Sequence, residues 1–211
     1  MIYIFKADSF VVRQQKSLNE LLQDLPEAMQ ERALRYRFEQ DAYNFVLGRV
    51  LLKQGLGILD MNQRIEEIMV QPDGKPFLVG VYFNISHSEN LVVCSVSTKG
   101  AIGIDVEKIK PVVLENFKAW FTEREWADIT LAADSLHKFY WYWTRKESIL
   151  KALGMKLSDL NRIDLDATQD FFIHNGDTFH LKELGLSDGF YGALCSELPI
   201  DELHIFHCKS F

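Results

Sequence analysis

The chain has 211 residues, with 23 Lys and Arg against 30 Asp and Glu and a formal net charge of −7. That balance argues against wholesale nucleic-acid binding, although a local basic patch could still recognise phosphate. With 47% apolar and 25% charged residues, the composition is that of a soluble globular protein, and no apolar run approaches the roughly 20 residues needed to span a bilayer.

The N-terminus, "MIYIFKADSF", lacks the charged-then-apolar layout of a signal peptide. Cys94, Cys195 and Cys208 are odd in number and without metal-site spacing, which predicts reduced thiols and a cytoplasmic protein. "MIYIF" reads as a first strand. Leu18, Leu21, Leu22 and Leu25 recur at helical spacing, with Ser17 as N-cap and Glu20 completing a capping box. Two helices follow, one after Leu25 and one from near Glu39, the second ending at glycines suited to a C-cap. "EEIMV" and "PFLVG" read as short strands around a turn at Pro72-Asp73-Gly74.

Strands are predicted at 82–86, 91–97 and 101–107, the last two joined by a turn at Thr98-Lys99-Gly100. Helical segments follow at 112–120, 122–133 and 135–153, and then five short strands, "RIDLD", "FFIHN", "TFHLKEL", "YGALCSEL" and "LHIFH". Strands and helices interleave without regular βαβ alternation, so the predicted class is α+β. An internal echo links "GRVLLKQGLG" (48–57) to "RKESILKALG" (145–154), and "LVVCS" to "GALCS". With Lys53 laid on Lys151, Arg49 falls on Glu147, as in a duplicated fold with a cleft between two lobes.

Four places could carry chemistry. In "GIDVE", Asp105 and Glu107 stand two apart on a strand and project to one side. Such a pair is either the solvated edge of a sheet or a hard-oxygen site for Mg²⁺. In "WTRKESILKALG", Glu147 and Lys151 are four apart on a helix. They form an ordinary surface pair unless the preceding "FYWYW" buries them, in which case they are an acid–base pair at a dry site. In "NISHS", Ser86 and His87 end a strand and could bind an anion. As neighbours on a strand they point to opposite faces, which disfavours a Ser-His hydrolase. Lys75 follows a turn, and Arg32, Arg35, Arg37 and Arg49 make a basic stretch in which Arg49 alone sits within an apolar helix.

Together, "GKPF" (74–77), "FNISHS" (83–88), "GIDVEK" (103–108) and "FYWYWTRKESILKALG" (139–154) resemble the phosphopantetheinyl transferase family in its longer, pseudo-dimeric form, the type that activates surfactin synthetase. The four motifs occur in the family's order. The resemblance implies two similar α/β lobes related by a pseudo-two-fold axis, here 1–102 and 103–211, with the active site in the cleft between them. It implies Mg²⁺ (or Mn²⁺) held by Asp105, Glu107 and Glu147, with Glu147 as base and Lys151 at the pyrophosphate. Ser86 and His87 would hold coenzyme A phosphates, Lys75 would meet the nucleotide, and Arg49 would meet the 3′-phosphate. Where surfactin-type relatives carry lysines before the second helix, this chain has Met29 and Arg32, so Arg32 is left to replace that contact.

The implied reaction moves 4′-phosphopantetheine from coenzyme A to a serine of an apo acyl or peptidyl carrier protein and releases 3′,5′-ADP. A monomer is expected, with neither nucleic acid nor membrane as partner, and the family places carrier docking near apolar residues of "NFKAWF" (116–121). Two alternatives stay open: a Mg²⁺-dependent coenzyme A pyrophosphatase using the same carboxylates on water, and a non-catalytic coenzyme A-binding protein.

Overall fold

The computed structural model describes residues 1–71 and 74–209. Within it the chain forms two compact units. The first, Met1–Lys99 with the segment that begins at Asp201, opens with β1 (Ile2–Asp8), α1 (Ser9–Arg13), α2 (Leu18–Leu22), α3 (Glu27–Leu34) and α4 (Glu39–Ile58). It continues through β2 (Met69–Val70), β3 (Pro76–Phe77), β4 (Tyr82–Ser88) and β5 (Leu91–Ser97). The second, Gly100–Ile200, holds β6 (Ile102–Lys108), α5 (Glu123–Leu131), α6 (Ser135–Leu153), β7 (Phe171–His174), β8 (Asp177–Glu183) and β9 (Phe190–Ser196). The last strand, β10 (Leu203–His207), belongs to the first unit. The class is α+β, as the interleaving predicts.

Local signals explain most element ends. The Asp8 carboxylate accepts hydrogen bonds from the N–H groups of Phe10 and Val11, which starts α1. The capping box of Ser17 and Glu20 forms as predicted and starts α2. The glycines expected to end α4 instead lie inside it: the helix runs on to Ile58 and is capped by Leu59. Gly55 is needed for another reason, because a Cβ there would lie 2.7 Å from the Phe5 ring, so its bare backbone lets α4 settle on β1.

In the first unit the sheet order is β10-β1-β5-β4. The strand β5 pairs antiparallel with β1 and β4, and all seven of its residues are buried, as expected of an apolar central strand. The second unit has the order β6-β9-β8-β7, antiparallel throughout. There α6 packs on the sheet, with Phe121, Trp126, Phe139, Tyr140 and Tyr142 forming an aromatic core.

Several sequence expectations change. The strand at 101–107 makes no hairpin with 91–97: β6 pairs with β9 instead, and the boundary between units falls at Lys99–Gly100. A second lobe running through 211 is corrected as well, since β10 lies parallel to β1, Ile205 opposite Ile4. "RIDLD" forms no strand, and residues Leu157–Arg162 make a short 3₁₀ helix. The segments around 66–80 shrink to the two-residue strands β2 and β3, and Pro72 and Asp73 of the expected turn lie outside the described residues. Among the described residues no helix is long and apolar enough to cross a membrane.

Candidate active site

In the second unit, alternation along β6 puts Gly103, Asp105 and Glu107 on one face. The helix α6 lies against that face at Gly103, where a Cβ would meet the Ser148 carbonyl oxygen at 2.0 Å and the Ala152 nitrogen at 2.4 Å. Glycine therefore lets the helix approach until the Lys151 ammonium reaches the Asp105 carboxylate, Nζ to Oδ1 2.6 Å. The same ammonium stands 3.8 Å from Oε2 of Glu147, one turn back on the helix. The structure thus brings Asp105, Glu107, Glu147 and Lys151 into one electrostatic cluster.

Asp105 is only 2% exposed. Burial first, and then the Asp105 and Glu107 charges, push the Glu147 carboxyl up to about 7, with Lys151 acting in the opposite sense. Burial disfavours the Lys151 ammonium, yet Asp105, Glu147 and Glu107 more than offset this and hold its pKa above the ordinary lysine value. Neither residue fits a solvated surface pair.

Three carboxylates with no soft ligand among them are a donor set suited to Mg²⁺ or Mn²⁺ rather than to a thiophilic metal. Among the described residues no three acidic, imidazole or thiol groups are drawn together as a finished ligand set. Lys151 brings a positive charge to the cluster, paired with Asp105 and Glu147. In the chemistry of its donors the site fits a hard dication.

Sequence reasoning missed two residues beside this cluster. Lys146, the residue before Glu147, is fully buried and pairs with the equally buried Glu125, Nζ to Oε2 2.6 Å. The one available signal was Thr122-Glu123-Arg124-Glu125, a capping-box pattern that places Glu125 in the first turn of α5.

In the first unit Arg49 and Arg32 gather around Phe45. Their guanidinium carbons stand 3.7 and 5.1 Å from its ring centre, and Arg49 also donates to the Phe45 carbonyl at 3.2 Å. Burial, and then the nearby Arg32 charge, lower the pKa of Arg49 to about 10. Two like charges on one ring would both be relieved by an anion. They border a pocket of about 220 Å³ with Met29, Pro76, Phe83 and Ile85 in its lining.

Of the sequence-predicted anion ligands of this unit, Arg32 and Arg49 line this pocket, while Lys75 and Ser86 are the chain neighbours of its lining residues Pro76 and Ile85. Ser86 is buried and His87 exposed, on opposite faces of β4, as adjacent strand residues must be. The segment "NFKAWF" is part core and part surface. Phe117 packs edge-on against Phe139 and Trp143 at 5.0 and 5.4 Å and Phe121 is buried, while Phe117 and Trp120 keep part of their surface accessible.

Comparison with known proteins points one way. Residues 101–194 match the family described as the 4′-phosphopantetheinyl transferase superfamily. The 4′-phosphopantetheinyl transferase Sfp of Bacillus subtilis is 31% identical over 185 residues, which cover 80% of this chain and 80% of that protein. HetI of a Nostoc species, a 4′-phosphopantetheinyl transferase by name, is 34% identical over 162 residues, 70% of this chain and 68% of the relative. The gsp transferase of Aneurinibacillus migulanus is 34% identical over 141 residues, 64% of this chain but only 59% of its own length.

Proposed function

This chain belongs to the 4′-phosphopantetheinyl transferase superfamily, and from that premise we propose that it moves 4′-phosphopantetheine from coenzyme A to a serine of an apo carrier protein, releasing 3′,5′-ADP. The observation that carries the reading is the gathering of Asp105, Glu107 and Glu147 with Lys151 at a largely buried site. A protein that merely bound coenzyme A would need no such set.

The transfer makes a bond from the serine Oγ to the phosphorus on the pantetheine side of the pyrophosphate. It breaks the bond from that phosphorus to the oxygen bridging to the adenosine side. Glu147, half-buried and with its pKa raised to about 7 by burial and the neighbouring carboxylates, accepts the serine proton directly or through one water. The Lys151 ammonium, held by Asp105 at 2.6 Å, faces the charge that grows on the leaving phosphate and can return a proton to it. Asp105, Glu107 and Glu147 would hold Mg²⁺ or Mn²⁺, which when bound supplies charge neutralisation at the pyrophosphate oxygens. Arg49 and Arg32 take the 3′-phosphate, with Phe45 as the apolar wall beside it. Lys75, Ser86 and His87 complete the phosphate and nucleotide contacts of the first unit.

The three cysteines are free thiols, two of them buried, which suits work in the reducing cytoplasm. The test is stoichiometric. Release of 3′,5′-ADP should match the carrier serines supplied and stop when that serine is replaced by alanine. Continued release with the alanine carrier would point to hydrolysis of coenzyme A instead.

A further inference from the structure

We propose that the buried Lys146–Glu125 pair is a positioning device for catalysis, fixing the rotation of α6 so that Glu147 and Lys151 face β6. The inference rests on the activity proposed above and concerns residues that touch neither substrate.

Lys146 is 0% exposed, as is Glu125. The Lys146 ammonium donates to Glu125 Oε2 at 2.6 Å and to the Trp120 carbonyl at 3.0 Å, and it stands 5.1 Å from the centre of the Phe121 ring. Glu125 Oε2 also accepts from the Thr122 N–H at 2.9 Å, and Oε1 accepts from the Leu165 N–H at 2.9 Å. One ion pair therefore joins α6 to the segment at 120–122, to the first turn of α5 and to the chain at Leu165. Each oxygen of the carboxylate has a donor.

Such a pair is a poor choice for stability alone. Desolvating two charges offsets much of their attraction, and an apolar pair of similar volume often holds a fold as well. What the apolar pair lacks is direction: dispersion contacts let a helix slide or turn slightly, whereas hydrogen bonds to a carbonyl and a carboxylate do not. The contact at Gly103 sets how closely α6 approaches β6, but it does not stop the helix turning about its own axis. Lys146 supplies that second constraint from a different direction. It does so at the residue next to Glu147, where any rotation of the helix is passed on directly.

The test compares the wild type with the double variant Glu125→Leu/Lys146→Met and with Glu125→Gln, which keeps the size of the side chain. The double variant should keep the wild-type circular dichroism and melting temperature. Its KM for coenzyme A should be unchanged while kcat falls by about 10- to 100-fold, the loss associated with misplacing a reacting group by an ångström or less. A purely structural pair would give the reverse, a shifted melting temperature with wild-type kcat per folded molecule, and that result overturns the inference. If the double variant does not fold, Glu125→Gln decides: lowered kcat at constant KM supports positioning, and wild-type kcat refutes it. A wild type that transfers nothing to any carrier defeats the activity itself, and this inference with it.

Discussion

Replacing Gly103 with alanine should remove most of the turnover while leaving the protein folded. A Cβ on Gly103 would stand 2.0 Å from the Ser148 carbonyl oxygen, 2.4 Å from the Ala152 nitrogen and 3.0 Å from the Lys151 carbonyl carbon. All three are backbone atoms, so no side chain can swing aside and α6 itself must withdraw, by on the order of 1 Å. Overpacking of this kind costs about 1–3 kcal/mol. Stretching the 2.6 Å bond from Lys151 to Asp105 forfeits part of a charged hydrogen bond worth about 1.5–3 kcal/mol. Against a typical stability of roughly 5–15 kcal/mol the fold survives with a lowered melting temperature. Turnover suffers more, because a displacement of about 1 Å between reacting groups costs roughly 10²-fold. Urea unfolding gives the stability change, and initial rates of carrier modification give kcat. A Gly103→Ala protein with wild-type melting temperature and wild-type kcat would refute the close-packing argument.

Three further outcomes follow from the same geometry. Arg49→Met should weaken coenzyme A binding by about tenfold or more, the equivalent of one charged hydrogen bond of about 1.5–3 kcal/mol. Dephospho-coenzyme A should bind wild type and variant alike in calorimetry, and equal losses for both ligands would remove Arg49 from the 3′-phosphate. Asp105→Asn and Glu147→Gln should each lower kcat by about 10²- to 10³-fold, the range seen when a charge-stabilising group is lost, with unchanged circular dichroism. Near-normal transfer by both variants would defeat their assignment. Of the three free thiols, Cys94 and Cys195 are buried and Cys208 is partly accessible. Dithiobisnitrobenzoate should therefore titrate Cys208 alone in the native protein and all three after denaturation, and rapid reaction of a second native thiol would contradict the packing.

What could be read from the sequence divides along physical lines. Period two along "GIDVE" puts Asp105 and Glu107 on one side of a strand, and a four-residue step puts Glu147 and Lys151 on one side of a helix. Both hold in the structure because side-chain direction is a local property. Pairing is not local. That β6 meets β9, and that β10 returns to lie beside β1, depends on contacts between segments far apart in the chain, about which periodicity is silent.

Burial fails in the same way. Lys146 and Glu147 are adjacent charged residues, yet one is sealed against a partner 21 positions away while the other lines the site. The apolar residues of "NFKAWF" read alike in the sequence, but Phe139 and Trp143 pack against Phe117 and Phe121, while Ala119 stays exposed. Hydrophobicity says that an aromatic residue will be covered, without saying by what.

Intact-mass measurement of an apo carrier protein incubated with this enzyme, coenzyme A and Mg²⁺ tests the proposed transfer most directly. One phosphopantetheine group should appear on the acceptor serine of each carrier, with an equal amount of 3′,5′-ADP. Folded enzyme that leaves several apo carriers unmodified, or that forms 3′,5′-ADP with no carrier present, would contradict it.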